Sequence, residues 1–163
     1  MSNVPPSLPP KHLRDPGDAW VEGPDGQKFW GLFGAAGLLL INPSFRVLLQ
    51  LRAGWSHSGG TWGIPGGALK MGESPLQAAL REAEEEAGVP SKEVELVGSS
   101  TLDLDFWRYT TIIGKIKKSF NPIAGDLESE ALEWVEIAQV EQRNLHPGFR
   151  GSWPELHTKI LKL

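Results

Sequence analysis

One stretch of this chain, Ser74 to Val89, constrains the fold more than any other. Ser74 is a favourable helix N-cap, and Pro75 stands at the first helical position, where its missing N–H costs nothing. Gln77, three residues after Ser74, completes a capping box, and Gly88 supplies the left-handed residue that ends a helix. The spacing predicts a helix over 74–87. At about 100° per residue, Leu76, Ala79, Leu80, Ala83 and Ala87 share one stripe that must face a sheet, and the Ala residues permit close approach. Glu82, Glu85 and Glu86 cluster beside that stripe, because positions i, i+3 and i+4 are neighbours on a helix surface. Arg81 lies one turn before Glu85 and can hold its carboxylate.

Repulsion among such carboxylates destabilises a helix unless something positive sits among them, and an oxygen-only ligand set selects a hard cation such as Mg²⁺ or Mn²⁺. The Gly66-Gly67 pair lets backbone approach the ion, so that the Gly66 carbonyl offers a further ligand. A Glu-rich helix on its own is more simply a solvated face. The longer spacing favours the metal. Residues Gly67 to Val89 read GALKMGESPLQAALREAEEEAGV. This resembles the Nudix box: Gly, five residues, Glu, seven residues, then Arg-Glu-U-x-Glu-Glu-x-Gly-U with U aliphatic. Gly67, Glu73, Arg81, Glu82, Glu85, Glu86 and Gly88 match every fixed position, and Ala83 and Val89 take the aliphatic ones, Ala83 being smaller than the commonest choices. The resemblance is strongest over Gly66–Val89 and extends more loosely over Gly31–Glu136.

The resemblance implies a mixed β-sheet sandwiched between helices. It also implies hydrolysis of a nucleoside diphosphate linked to another moiety, with MutT-like cleansing of nucleoside triphosphates among the options. Carried over residue by residue, Glu82, Glu85 and Glu86 are implied as metal ligands, with Glu82 also a candidate base toward water. Arg81 would orient Glu85, while Gly67, Glu73 and Gly88 would serve the motif's structure. Family enzymes often add an acidic residue from a loop distant in sequence. Glu128 is the preferred candidate here and Glu130 the alternative. The competing reading is a catalytically silent nucleotide-binding sensor, which the loss of a box carboxylate would favour; none is lost.

The remaining pattern is that of an α+β (mixed α/β) chain. Met1 to Gly17 reads as a Pro-rich tail. Asp18–Gly31 places Trp20, Phe29 and Trp30 around the turn Gly23-Pro24-Asp25-Gly26, as in a short hairpin or packed arm that could make a dimer contact. Residues 1–30 are thus expected as tail and arm, and 31–163 as the catalytic domain. Apolar runs Phe33–Ile41 and Phe45–Arg52, split by Asn42-Pro43-Ser44, read as two paired antiparallel strands. Further strands are expected at Val94–Ser100, Phe106–Ile116 and Ala131–Glu136, with a polar loop over Lys117–Glu130. His146–Phe149 and Ser152–Pro154 read as turns and the start of a short closing helix.

Composition narrows the function classes. At 163 residues one domain is expected. The absence of Cys excludes disulfides, thiolate nucleophiles and Cys-bound zinc. A net charge of −4 argues against a duplex nucleic-acid footprint and for a small nucleotide substrate whose charge a divalent cation mediates. The N-terminus lacks a signal-peptide pattern, and the longest apolar run is too short to span a bilayer, so a cytoplasmic monomer or homodimer without membrane contact is expected. Gly54 to Ser58 departs from a nucleophile elbow at its fifth position, and Gly63 to Lys70 lacks phosphate-loop spacing, which removes a serine hydrolase and a P-loop enzyme. Arg108 and Tyr109, beside Trp107, and His57 are candidate substrate contacts, with packing or plain exposure as the competing role for each.

Overall fold

The computed structural model describes residues 15–54, 58–125 and 129–163. Their order is β1 (Trp20–Glu22), β2 (Lys28–Trp30), β3 (Ala35–Ile41), β4 (Arg46–Arg52), β5 (Trp62–Gly63), β6 (Gly66–Ala68), α1 (Pro75–Ala87), β7 (Val94–Asp103), β8 (Arg108–Ile116), β9 (Ser129–Glu136) and α2 (Pro147–Leu161), with short helical turns at Ser91–Glu93 and Ile137–Gln142. Among the described residues, β1 and β2 form their own antiparallel hairpin, and the other seven strands form a mixed sheet.

The centre of that sheet is β3, whose seven residues are all buried. A strand covered on both faces reads as a continuous apolar run rather than an alternation, which is what Ala35–Ile41 shows. Its odd and even side chains serve two different cores. Leu39 and Ile41, with Val47 and Leu49 of β4, meet Phe149, Trp153, Leu156 and Ile160 of α2. Ala36, Leu38 and Leu40, with Leu48, meet Ala78, Ala79, Ala83 and Ala87 of α1. Burial of each large α2 side chain contributes about 2 kcal/mol. The Ala face of α1 contributes less area but brings the helix close to β3.

The expected β3–β4 hairpin is only partly formed. The two strands pair antiparallel at Ile41–Val47 alone, and then diverge. β3 runs parallel to β8 over its whole length and antiparallel to β6 at its start, while β4 pairs along its length with β9. Each strand has enough apolar surface to be central, and long-range partners take the ladder positions that a hairpin would use.

Helix α1 follows the sequence closely. Ser74 accepts from the Gln77 amide at 3.1 Å, the Gln77 side chain accepts from the Ser74 amide at 2.9 Å, and Gly88 has φ 67°. The buried stripe differs in detail: Ala78, Ala79, Ala83, Glu86 and Ala87 are buried, whereas Leu76 and Leu80 are half-buried. The closing helix is also longer than expected, running 15 residues through Pro154 rather than starting near it. Pro147 at its first turn and the His146 side chain, accepting from the Gly148 amide at 3.1 Å, fix its start. Pro154 removes one interior hydrogen bond, which the apolar face of Phe149, Trp153, Leu156 and Ile160 outweighs. Glu130, expected in a loop, lies on β9.

Candidate active site beside the carboxylate helix

Strand β6 is joined to α1 by the loop 69–74; β6 pairs with the start of β3, and α1 packs on β3. Gly66 and Gly67 stand on β6, opposite Gly37 and Ala36. A side chain on Gly66 would run into backbone, and one on Gly67 would displace the Glu82 carboxylate. A Cβ on Gly67 would lie 2.6 Å from the Glu82 carboxylate, and one on Gly66 would lie 2.5 Å from the Ala36 carbonyl and 2.9 Å from the Tyr109 hydroxyl. The two glycines thus let carboxylate and backbone approach as the sequence suggested.

Arg81 is the hub of the charged groups. Its Nε and Nη2 donate to the two Glu73 oxygens at 2.8 and 2.9 Å, its Nη1 donates to Glu82 at 2.9 Å, and its Nη2 also reaches the Ala68 carbonyl at 3.2 Å. Glu85 is its weakest contact at 3.5 Å, with a side chain 56% exposed. Arg81 therefore grips Glu73 and Glu82 more tightly than Glu85, the residue it was expected to orient. Glu86 is 3% exposed, and its Oε2 accepts from the Gly66 amide at 3.0 Å, tying helix to loop.

The electrostatics follow from burial. The Arg81 guanidinium, together with the Lys70 amide that donates at 3.0 Å, holds Glu73 below the usual carboxylate range. Its carboxylate neighbours raise Arg81. Desolvation pushes Glu82 up against the opposing pull of Arg81, and the nearby Glu85 charge pushes the same way. Three carboxylates, Glu73, Glu82 and Glu85, thus meet around one guanidinium, and Glu86 lies beside Glu82. That excess of negative charge on hard oxygen donors suits a divalent cation. Among the described residues no three acidic or histidine side chains point at one centre; Glu82 faces Arg81 and Glu86 faces Gly66.

The other candidate residues fall in separate places. Tyr109 stands on β8 with its hydroxyl against Gly37, Ile64 and Gly66, and burial with the Glu86 charge raises it strongly. Its ring follows Trp107, centroids 6.1 Å apart, and Trp107 stacks on Phe29 of the hairpin at 4.6 Å. Arg108 is exposed and pairs with Asp103 on β7 at 2.9 Å. Glu130 accepts from the Gly54 amide at 2.9 Å. His57 and Glu128 lie outside the described residues. Two features escaped the sequence reading: the Tyr109 hydroxyl beneath Gly66, and a segment at 120–125 that bonds to the end of α1. Only a lone Gly125 marked the second.

The NUDIX domain family model matches residues 31–156. The chain belongs to the Nudix family. A Nudix hydrolase from M. smegmatis, RenU, superposes with a TM-score of 0.82 at 40% identity, covering 90% of this chain and 97% of that one. A Mycobacterium tuberculosis relative named "Putative 8-oxo-dGTP diphosphatase 3" is 42% identical, over 94% of this chain and 76% of its own. A Bifidobacterium longum protein, named as a nucleoside triphosphate pyrophosphatase/Nudix hydrolase fusion protein, is 41% identical over 96% of this chain, which spans 34% of that longer relative. The reaction class follows: the chain is a Nudix hydrolase that cleaves a pyrophosphate bond in a nucleotide, within a divalent-metal-dependent family. No helix among the described residues is long and apolar enough to cross a membrane.

Proposed function

We propose that the chain hydrolyses a free nucleoside triphosphate in MutT fashion, releasing a nucleoside monophosphate and pyrophosphate. The observation that carries this reading is the box geometry, with Arg81 gripping Glu73 and Glu82 while Glu86 is tied to Gly66. The relative named for 8-oxo-dGTP supports an oxidised purine nucleotide as the first substrate to test. The net charge of −4 favours a small nucleotide over a long nucleic acid.

In this reading Glu82, Glu85, Glu86 and the Gly66 carbonyl hold Mg²⁺ or Mn²⁺. Such an ion, when bound, neutralises phosphate oxygens and lowers the pKa of water. The chain's own residues do the rest. Glu82, half-buried and held by Arg81, takes the proton from the attacking water. The water oxygen bonds to phosphorus, the bond from that phosphorus to the bridging oxygen breaks, and the bridging oxygen leaves with the departing phosphate group. Arg81 keeps Glu82 and Glu85 in register, and Glu73 keeps Arg81 in place. Glu128 completes the acidic set, and Tyr109, Arg108 and His57 are the contacts proposed for the nucleotide. The chain works on the cytoplasmic nucleotide pool.

The test is a substrate panel with Mg²⁺, Mn²⁺ or chelator: canonical triphosphates, 8-oxo-dGTP, a dinucleoside polyphosphate, a nucleotide sugar and 5′-triphosphorylated RNA. Monophosphate and pyrophosphate from a free triphosphate, lost with chelator, is the expected result. RNA pyrophosphohydrolase is the name carried by a Legionella pneumophila relative 39% identical over 66% of this chain. Preferential turnover of the RNA would overturn the free-nucleotide reading.

A further inference from the structure

Helix α1 ends in a way that its own caps do not complete. The last four carbonyls of a helix have no partner within it. Gly88 donates to the Glu84 carbonyl at 3.0 Å and Val89 to that of Ala83 at 3.3 Å. Glu85, Glu86 and Ala87 remain, and no basic side chain lies in the last turn to serve them. The segment between β8 and β9 supplies what is missing. The Ile123 amide donates to the Ala87 carbonyl and the Gly125 amide to the Glu86 carbonyl, each at 3.1 Å. A Cβ on Gly125 would lie 2.0 Å from the Glu85 carbonyl oxygen, so Gly125 covers that group by direct backbone contact. Gly125 is not among the residues of positive φ, and contact alone demands glycine there. The strap is anchored at its start, where Trp134 Nε1 donates to the Phe120 carbonyl at 3.4 Å and the two rings meet edge to face. Ile123, in contrast, turns its side chain outward, 71% exposed, so its backbone is what binds.

We propose that residues 120–125 form a positioning strap for the metal site, with Gly125 its required residue. The carbonyls it holds belong to Glu85 and Glu86, two of the carboxylates assigned above to the cation, and the inference rests on that assignment. The strap fixes the backbone from which those two side chains project. Loosening it spreads the carboxylates and weakens their hold on the ion without touching substrate. Residues that orient metal ligands typically change affinity about ten- to hundredfold when altered.

The test uses the full chain. Mn²⁺ binding is measured by electron paramagnetic resonance for wild type, Gly125→Ala, Glu86→Gln and the control Gly151→Ala, whose added methyl meets open space. Gly125→Ala is expected to bind Mn²⁺ about tenfold more weakly, with kcat restored at saturating metal and KM for the nucleotide unchanged. Gly151→Ala should match wild type. By reciprocity, Mg²⁺ should slow amide hydrogen exchange at Ile123 and Gly125 of the wild type. That second measurement decides the matter should Gly125→Ala fail to fold. A folded Gly125→Ala with wild-type Mn²⁺ affinity, or strap amides indifferent to Mg²⁺, would overturn the proposal. Wild-type Mn²⁺ binding by Glu86→Gln would overturn the ligand assignment itself, whereas weak binding by Glu86→Gln beside normal binding by Gly125→Ala would overturn the strap alone.

Discussion

Gly67 and Glu82 show how much one atom matters at this site. Gly67→Ala places a methyl group 2.6 Å from a Glu82 oxygen that Arg81 already holds at 2.9 Å. Backbone φ is ordinary at Gly67, so the fold tolerates the change while the carboxylate must move. The expected outcome is a thermal midpoint close to wild type with kcat reduced about hundredfold, since displacement of a positioned group by 1 Å costs that much. Arg81→Lys tests the hub. Lysine is a point charge and cannot reproduce the fork that binds both Glu73 oxygens and Glu82. Activity should fall and should not be recovered by added metal alone. The residue types of this cluster were legible because seven fixed positions at fixed spacing carried them. Their contacts were not. Sequence spacing put Arg81 beside Glu85, one helical turn away, but the fork turned toward Glu73, which reaches back from the loop before the helix to within 2.8 Å. Helix geometry cannot foresee a partner outside the helix.

At the scale of elements, α1 was the most readable part of the chain, because capping box, first-turn Pro and terminal Gly are local signals that tertiary contacts had no reason to override. Ser74→Ala removes the hydroxyl that accepts from the Gln77 amide and should cost about 1 kcal/mol. For a chain of this size that lowers the thermal midpoint by about 3 °C, readable by calorimetry. Ala83 is fully buried against the sheet, and Ala83→Leu should cost about 1–3 kcal/mol through overpacking. An unchanged midpoint would deny the close helix–sheet contact. The β3–β4 pair was the least readable element. Its turn signal was correct, but a turn says nothing about which distant strand wins the remaining ladder, and β8 and β9 took it. The 120–125 strap had no periodicity to find, because it works through amides that every residue type shares.

At the scale of the whole molecule, two helices cover the two faces of one sheet, and the carboxylates gather where α1, β6 and the start of β3 meet. Ion pairs far from that junction tie the periphery. Arg143 donates to both Glu133 oxygens at 2.7 and 2.8 Å and lies over the Trp62 ring at 5.0 Å, joining β9 to the segment entering the site. The Arg143 hydrogen bonds hold Glu133 below its ordinary range. A carboxyl lowered on folding stabilises the protein above its unfolded pKa, and that contribution disappears as pH falls through the folded value. Glu133→Gln should therefore lower the midpoint at pH 7 by an amount worth at most about 1 kcal/mol, because the pair is half-exposed. The gap between variant and wild type should close in acid below the ordinary carboxylate range. The central claim concerns the whole enzyme, and pyrophosphate release from 8-oxo-dGTP and other free triphosphates tests it most directly, followed with Mg²⁺, with chelator and with Glu86→Gln. The account predicts turnover with metal, none with chelator, and at least about a hundredfold loss in Glu86→Gln. Turnover indifferent to both chelator and the substitution would contradict it.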